Sequence, residues 1–133
     1  MVLRDDLIIL RFDAQLFFGN IQFFKNLIFD SVNNSHKKVK GYIINARTIN
    51  YIDSTALEKL TEIIIELQKK GIRVMVVGAT GPTRDMIIKS KLIKVLKKGN
   101  LFITSGDATD SFDGVRKKSP LQKKLSRQYN QKN

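Results

Sequence analysis

Tyr42-Ile43-Ile44, Asp53-Ser54-Thr55-Ala56-Leu57 and Val74-Met75-Val76-Val77-Gly78 follow one another with little between them, and together they decide the fold. The first is a continuous apolar run of the kind found in strands covered on both faces, and the last is a β-branched run closed by glycine. Between them Leu60, Ile64 and Leu67 recur at helical spacing, while Glu58, Glu62, Glu66, Lys69 and Lys70 hold much of the opposite side, and Gly71 stops the pattern. This is a strand, a helix and a strand, a unit that needs a crossover connection and so predicts parallel pairing.

Working outward, Leu7 to Phe12 is apolar and β-prone, and after Asp13-Ala14 the run Leu16-Phe17-Phe18 ends at Gly19, which predicts two strands joined as a hairpin. Asn20 is a good N-cap for a first helix carrying Ile21, Phe24, Ile28 and Val32, which Asn33-Asn34-Ser35 ends. Gly81-Pro82 opens a third helix with proline at a tolerated position, and Leu101-Phe102-Ile103 reads as a last short strand. Asp107 or Thr109 is placed to cap a final helix. The alternation predicts an α/β fold: a mostly parallel central sheet of four or five strands with helices packed on it. In such sheets function gathers at strand-to-helix loops, here Asn45 to Leu57 and Gly78 to Arg84.

The whole chain bounds the rest. Its 133 residues suit one domain, and 42% hydrophobic content with 2 Pro argues for a folded chain. There is no cysteine and one histidine, so no disulfide, thiolate or histidine metal site is expected, and a reducing cytosol fits. No apolar run approaches the roughly 20 residues of a bilayer crossing, and Arg4, Asp5 and Asp6 precede the first apolar segment, unlike a signal peptide. The chain as given therefore reads as soluble. The net charge of +12 is uneven: beyond Asp113 there are seven basic residues and no acid, which leaves the body at +5 and marks residues 116–133 as a basic tail.

At the first loop, Asp53, Ser54 and Thr55 stand where backbone N–H groups and the positive end of a helix converge, a setting that welcomes anions. Thr55 and Glu58 also match a capping box that would start the helix. At the second loop, Thr80, Gly81 and Arg84 have the donors to hold an anion, although the P-loop spacing is absent. Lys89, Lys91, Lys94, Lys97 and Lys98, with the tail, form a basic surface suited to acidic lipid headgroups. Nucleic acid is disfavoured, since no DNA or RNA module is visible and the tail's aromatic content is Tyr129 alone. His36 sits in a polar turn without a nearby nucleophile and the acids show no catalytic spacing, so no enzyme is expected. Phe17, Phe18, Phe23, Phe24 and Phe29 form an aromatic concentration that can be read as a docking face, but most are expected to be strand and helix core, and any one left exposed would be informative.

Tyr51-Ile52-Asp53-Ser54-Thr55-Ala56-Leu57 resembles the signature of STAS domains, found at the cytoplasmic C-termini of SulP-type sulfate and anion transporters and in bacterial antagonists of anti-sigma factors. Leu10 to Asn20, with paired Phe17-Phe18 before Asn20, is similar to the transporter branch, as are Lys89-Ser90-Lys91-Leu92, Leu101-Phe102-Ile103-Thr104 and Asp107-Ala108. The resemblance implies a STAS domain over residues 1–115 followed by the tail at 116–133. It implies a regulatory and interaction domain on the cytoplasmic side of a bacterial inner membrane, with the transmembrane part of the same transporter and regulatory proteins as partners. Those partners would meet Asp53, Ser54, Thr55, Ala56 and Leu57. The other branch implies a free-standing antagonist switched by phosphorylation at Thr55, with Ser54 beside it. Here Thr55 stands where antagonists carry Ser, and Ala56 where they carry Gly. Some STAS domains bind nucleotides, which implies a nucleotide as the one candidate ligand for Thr80, Gly81 and Arg84.

Overall fold

A computed structural model describes residues 2–115. The tail from 116 to 133 lies outside the described residues. The chain runs β1 (Val2–Leu3), β2 (Leu7–Arg11), α1 (Ile21–Asn33), β3 (Gly41–Asn45), α2 (Ser54–Lys69), β4 (Arg73–Val77), α3 (Gly81–Lys89), α4 (Lys91–Leu96), a 3-10 turn (Lys98–Asn100), β5 (Leu101–Phe102) and α5 (Ser105–Phe112). The five strands lie side by side in sequence order, β2 to β5 parallel and β1 antiparallel at the edge.

Alternation along each strand divides the core in two. Ile8, Leu10, Tyr42, Ile44, Val74 and Val76 face Ile28 of α1, Leu60 and Leu67 of α2, Ile87 of α3 and Leu92 of α4. Leu7, Ile43, Met75, Val77 and Phe102 point the other way, onto Ala108 and Phe112 of α5. The helices of three successive crossovers therefore share one face, as same-handed connections between neighbouring parallel strands require. On the α5 face close approach depends on Gly41, since a Cβ there would come within 2.5 Å of the Phe112 ring.

Four local expectations give way to the structure. The hairpin forms between β1 and β2, with Val2 opposite Ile9, while Leu16 bridges in parallel to Ile52 and Phe17-Phe18 form no strand. The Phe17 carbonyl is already taken by the N–H groups of Asn20 and Ile21, which turn the chain into α1. Asn20 leads α1 but its side chain makes no cap bond; its Oδ1 accepts from the Phe17 N–H and its Nδ2 donates to the Gln15 carbonyl. The third helix is two, because Ser90 Oγ donates to the Ile87 carbonyl and accepts from the Leu92 N–H, ending α3 and starting α4. The last helix is capped by Thr104, which accepts from the Asp107 N–H, so neither Asp107 nor Thr109 holds that position.

One buried polar group gives the body a pH signature. The Tyr42 hydroxyl is enclosed and hydrogen-bonded to Ser31 Oγ at 2.8 Å, and burial pushes its pKa up to about 12. An unfolded tyrosine ionises near 10, so the unfolded state gains first as pH rises. The contribution is complete below pH ~10 and is lost as pH climbs through the folded value. Urea midpoints measured from neutral to alkaline pH should fall more steeply for the wild type than for Tyr42→Phe.

Candidate functional site

The helix start at Asp53 is built by its own carboxylate. Asp53 stands in extended conformation before α2, and its Oδ1 accepts from the Ala56 N–H at 2.7 Å. Its Oδ2 accepts from the Phe18 N–H at 3.1 Å, so one side chain both caps the helix and ties down the segment before α1. The backbone reinforces this tie: the Leu16 N–H donates to the Tyr51 carbonyl and the Asp53 N–H to the Leu16 carbonyl, each at 3.0 Å. The Thr55–Glu58 capping box is therefore not formed. With Asp53 as cap, Thr55 is the second helical residue and the third is Ala56, which has no side-chain acceptor to reach back to the cap.

Ser54 and Thr55 are exposed in the first turn, and among the described residues neither hydroxyl has a hydrogen-bond partner. Ala56 is buried and Leu57 half-buried, so of the predicted docking residues Asp53, Ser54 and Thr55 offer polar surface and the other two anchor the helix.

The aromatic cluster is far more exposed than expected and forms an apolar rim. Phe18 is 73% exposed, Tyr51 49% and Phe17 40%, and Phe17 and Phe18 pack edge to face with ring centres 5.9 Å apart. Phe23, at the start of α1, is 60% exposed. Of the five clustered phenylalanines Phe24 alone is fully buried and Phe29 is half-buried, so the expectation of a mostly core cluster is wrong. The paired phenylalanines directly before Asn20 were the available signal: two adjacent side chains cannot both point inward from one short segment.

The second loop lies at the same edge of the sheet. Gly78, with φ of 76°, lets the backbone pass Arg47, whose Cβ would lie 3.1 Å from a Cβ at that position. Thr80 leads α3 without a side-chain cap bond, Gly81 has φ of 53°, and Arg84 faces Asp85 at 3.7 Å. The anchor here is Thr83, only 2% exposed, whose hydroxyl donates to the Ile49 carbonyl at 2.7 Å. It fastens α3 to the loop that leads to Asp53, and no sequence motif announced it.

Comparison with known proteins decides the family. The STAS domain model matches residues 1–108. The chain belongs to the STAS domain family. A probable sulfate transporter of Mycobacterium tuberculosis is 26% identical over 106 residues, covering 80% of this chain and 19% of that protein. The chain thus spans about a fifth of the length of the curated relatives it matches. The STAS domain of a SulP transporter from Vibrio cholerae superposes with a TM-score of 0.69 at 18% identity, covering 86% of this chain and 87% of that one. The unphosphorylated anti-sigma factor antagonist SpoIIAA gives 0.69 at 15% identity, covering 88% and 96%. This STAS domain thus has sulfate transporters as sequence relatives and the α/β fold common to both branches.

Proposed function

We propose that this STAS domain is the regulatory and interaction domain of a SulP-type anion transporter, held on the cytoplasmic side of a bacterial inner membrane, and that it works by docking and not by catalysis. The observation that carries the reading is the aromatic rim around a rigid helix start. Phe17, Phe18 and Tyr51 stay exposed because Asp53 and the Leu16–Ile52 bridge hold their backbone in place. Rigid exposed aromatics beside polar hydroxyls are the makings of a binding hot spot. Partners in reach are the transmembrane part of the same protein and regulatory proteins. The Thr80–Arg84 loop enters as the support of this rim, through Thr83.

The test is sulfate uptake by cells producing the full-length transporter with Phe18→Ala and Tyr51→Ala together. Each exposed hot-spot aromatic removed weakens docking by roughly 1–2 kcal/mol, so the pair should weaken docking at least about thirtyfold and alter uptake at equal membrane abundance. Unchanged uptake with an unchanged urea midpoint overturns the rim as docking site.

A second reading rests on the partnerless Thr55 hydroxyl: a phospho-switched antagonist of an anti-sigma factor. A phosphate there would add about −1.5 to −2 charges beside Asp53. Incubation with a cognate kinase would shift the mass of wild type and leave Thr55→Ala unshifted; no shift on the wild type removes this reading.

A further inference from the structure

The positive charge of the described residues is concentrated at the end of the sheet opposite Asp53. Residues 2–115 hold 17 basic and 12 acidic side chains. Nine of the basic ones lie in the segments that lead into the N-terminal ends of the strands: Arg4 before β2; Lys37, Lys38 and Lys40 before β3; Lys69, Lys70 and Arg73 before and at the start of β4; and Lys97 and Lys98 before β5. Six acids share this end, namely Asp5, Asp6, Asp30, Glu66, Asp110 and Asp113. Eight basic and six acidic residues are left for the rest of the body, so this one edge carries three of the five excess charges.

The charges at this edge are also available. The two arginines are committed, Arg4 to Asp6 and Asp113 and Arg73 to Asn100 and Ser111, and Lys37 pairs with Asp5. Among the described residues no carboxylate lies within ion-pair distance of Lys38, Lys40, Lys69 or Lys97, and all four are exposed, while the exposed Lys70 has its Nζ 5.7 Å from the centre of the Phe29 ring. Lys97 has φ of 72°, the only positive φ on a non-glycine among the described residues. A glycine would relieve that backbone, yet the position carries a charge. Neighbouring strands are about 4.8 Å apart, so the three entry loops form a nearly straight row about 10 Å across from β3 to β5. The end of α5 lies at this edge as well, since Phe112 packs at Gly41 and Arg4 holds Asp113.

We propose that this N-terminal strand edge is the face on which the domain lies against anionic phospholipid, which leaves the Asp53 rim pointing away from the bilayer and open to a water-soluble partner. The orientation rests on the reading of the chain as a domain held under a membrane, and it selects among the partners of that reading. Lipid fits better than nucleic acid because the free cations are lysines, compact point charges, while every arginine of the edge is engaged. The most exposed aromatics, needed for stacking on bases, lie on the opposite rim.

The test uses the full chain with vesicles of phosphatidylcholine alone and with about a third phosphatidylglycerol. Each lysine near an anionic surface contributes roughly a fivefold gain in partitioning, so Lys40→Gln, Lys69→Gln and Lys97→Gln together should reduce binding on the order of a hundredfold. A control of equal charge change elsewhere, Arg11→Gln, Arg47→Gln and Lys59→Gln, should change it by far less. Lys97→Gly should raise the urea midpoint while lowering partitioning about fivefold. As the chain has no cysteine, a fluorophore on Lys38→Cys should shift on anionic vesicles and one on Ser54→Cys should not. Equal losses in the two triple variants, a shift at position 54, or tighter binding to duplex DNA than to anionic vesicles at the same salt would each overturn the proposal. The lysine variants leave the rim residues unchanged, so the rim can fail in the uptake test while this edge holds, or the reverse.

Discussion

Truncating Phe24 to alanine is expected to destabilise the domain by about 3–5 kcal/mol, the range for a fully buried aromatic. Phe24 has no exposed surface, and its ring meets Phe12 edge to face with centres 4.8 Å apart and planes at 74°. It therefore contributes both buried area and an oriented aromatic contact, and the cavity left behind lies between α1 and β2, where neither backbone can close on it. Phe23→Ala, one residue away and 60% exposed, should change stability by less than about 0.5 kcal/mol. Urea melts of the two variants would check this directly. Equal losses would mean that α1 is rotated about its axis from the position described, and with it the rim.

That pair of residues also shows how far the sequence could be read. The stripe Ile21, Phe24, Ile28 already places Phe24 inside, and residue 23 lies about 100° away on the helix, so periodicity separated the two phenylalanines correctly. Counting aromatics, by contrast, placed most of the cluster in the core. The same division holds across the fold. Continuous runs at β3 and β4 with one amphipathic helix between them predicted the parallel sheet, because buried parallel strands and crossover helices each leave a strong pattern. The Leu16–Ile52 bridge and the break at Ser90 left none: each is fixed by two hydrogen bonds, to residues distant in sequence in the first case and to both sides of Ser90 in the second. The Asp53 helix start was legible as a place, since Asp-Ser-Thr before a helical stripe is a cap signal. Which of the three residues caps was not legible, because the choice depends on Leu16 occupying the Asp53 N–H and on Phe18 needing an acceptor. The basic edge was half legible. Its lysines look scattered in sequence, and only the topology, which returns each connection to the same end of the sheet, lines them up.

Replacing Asp53 by alanine should cost about 2–3 kcal/mol, the sum of a lost helix cap and a lost charge-assisted acceptor for the Phe18 N–H. The two losses differ in kind. Losing the cap frays the first turn of α2, which presents Ser54 and Thr55; losing the second bond releases the segment that carries Phe17 and Phe18. Asp53→Asn keeps a cap-competent oxygen but can place only one acceptor, so it should fall between, at roughly 1 kcal/mol. Thr55→Ala should be neutral to within about 0.5 kcal/mol, since its hydroxyl supports nothing in the fold. Urea midpoints rank the three variants, and, on the proposed transporter reading, anion uptake by the full-length protein then separates structure from docking. If Asp53 acts by fixing the rim, Asp53→Ala and Phe18→Ala should impair uptake alike while only the first lowers stability. If Asp53 itself meets the partner, Asp53→Asn should impair uptake out of proportion to its small stability loss, and the aromatic rim would then be secondary to the charge at the helix start.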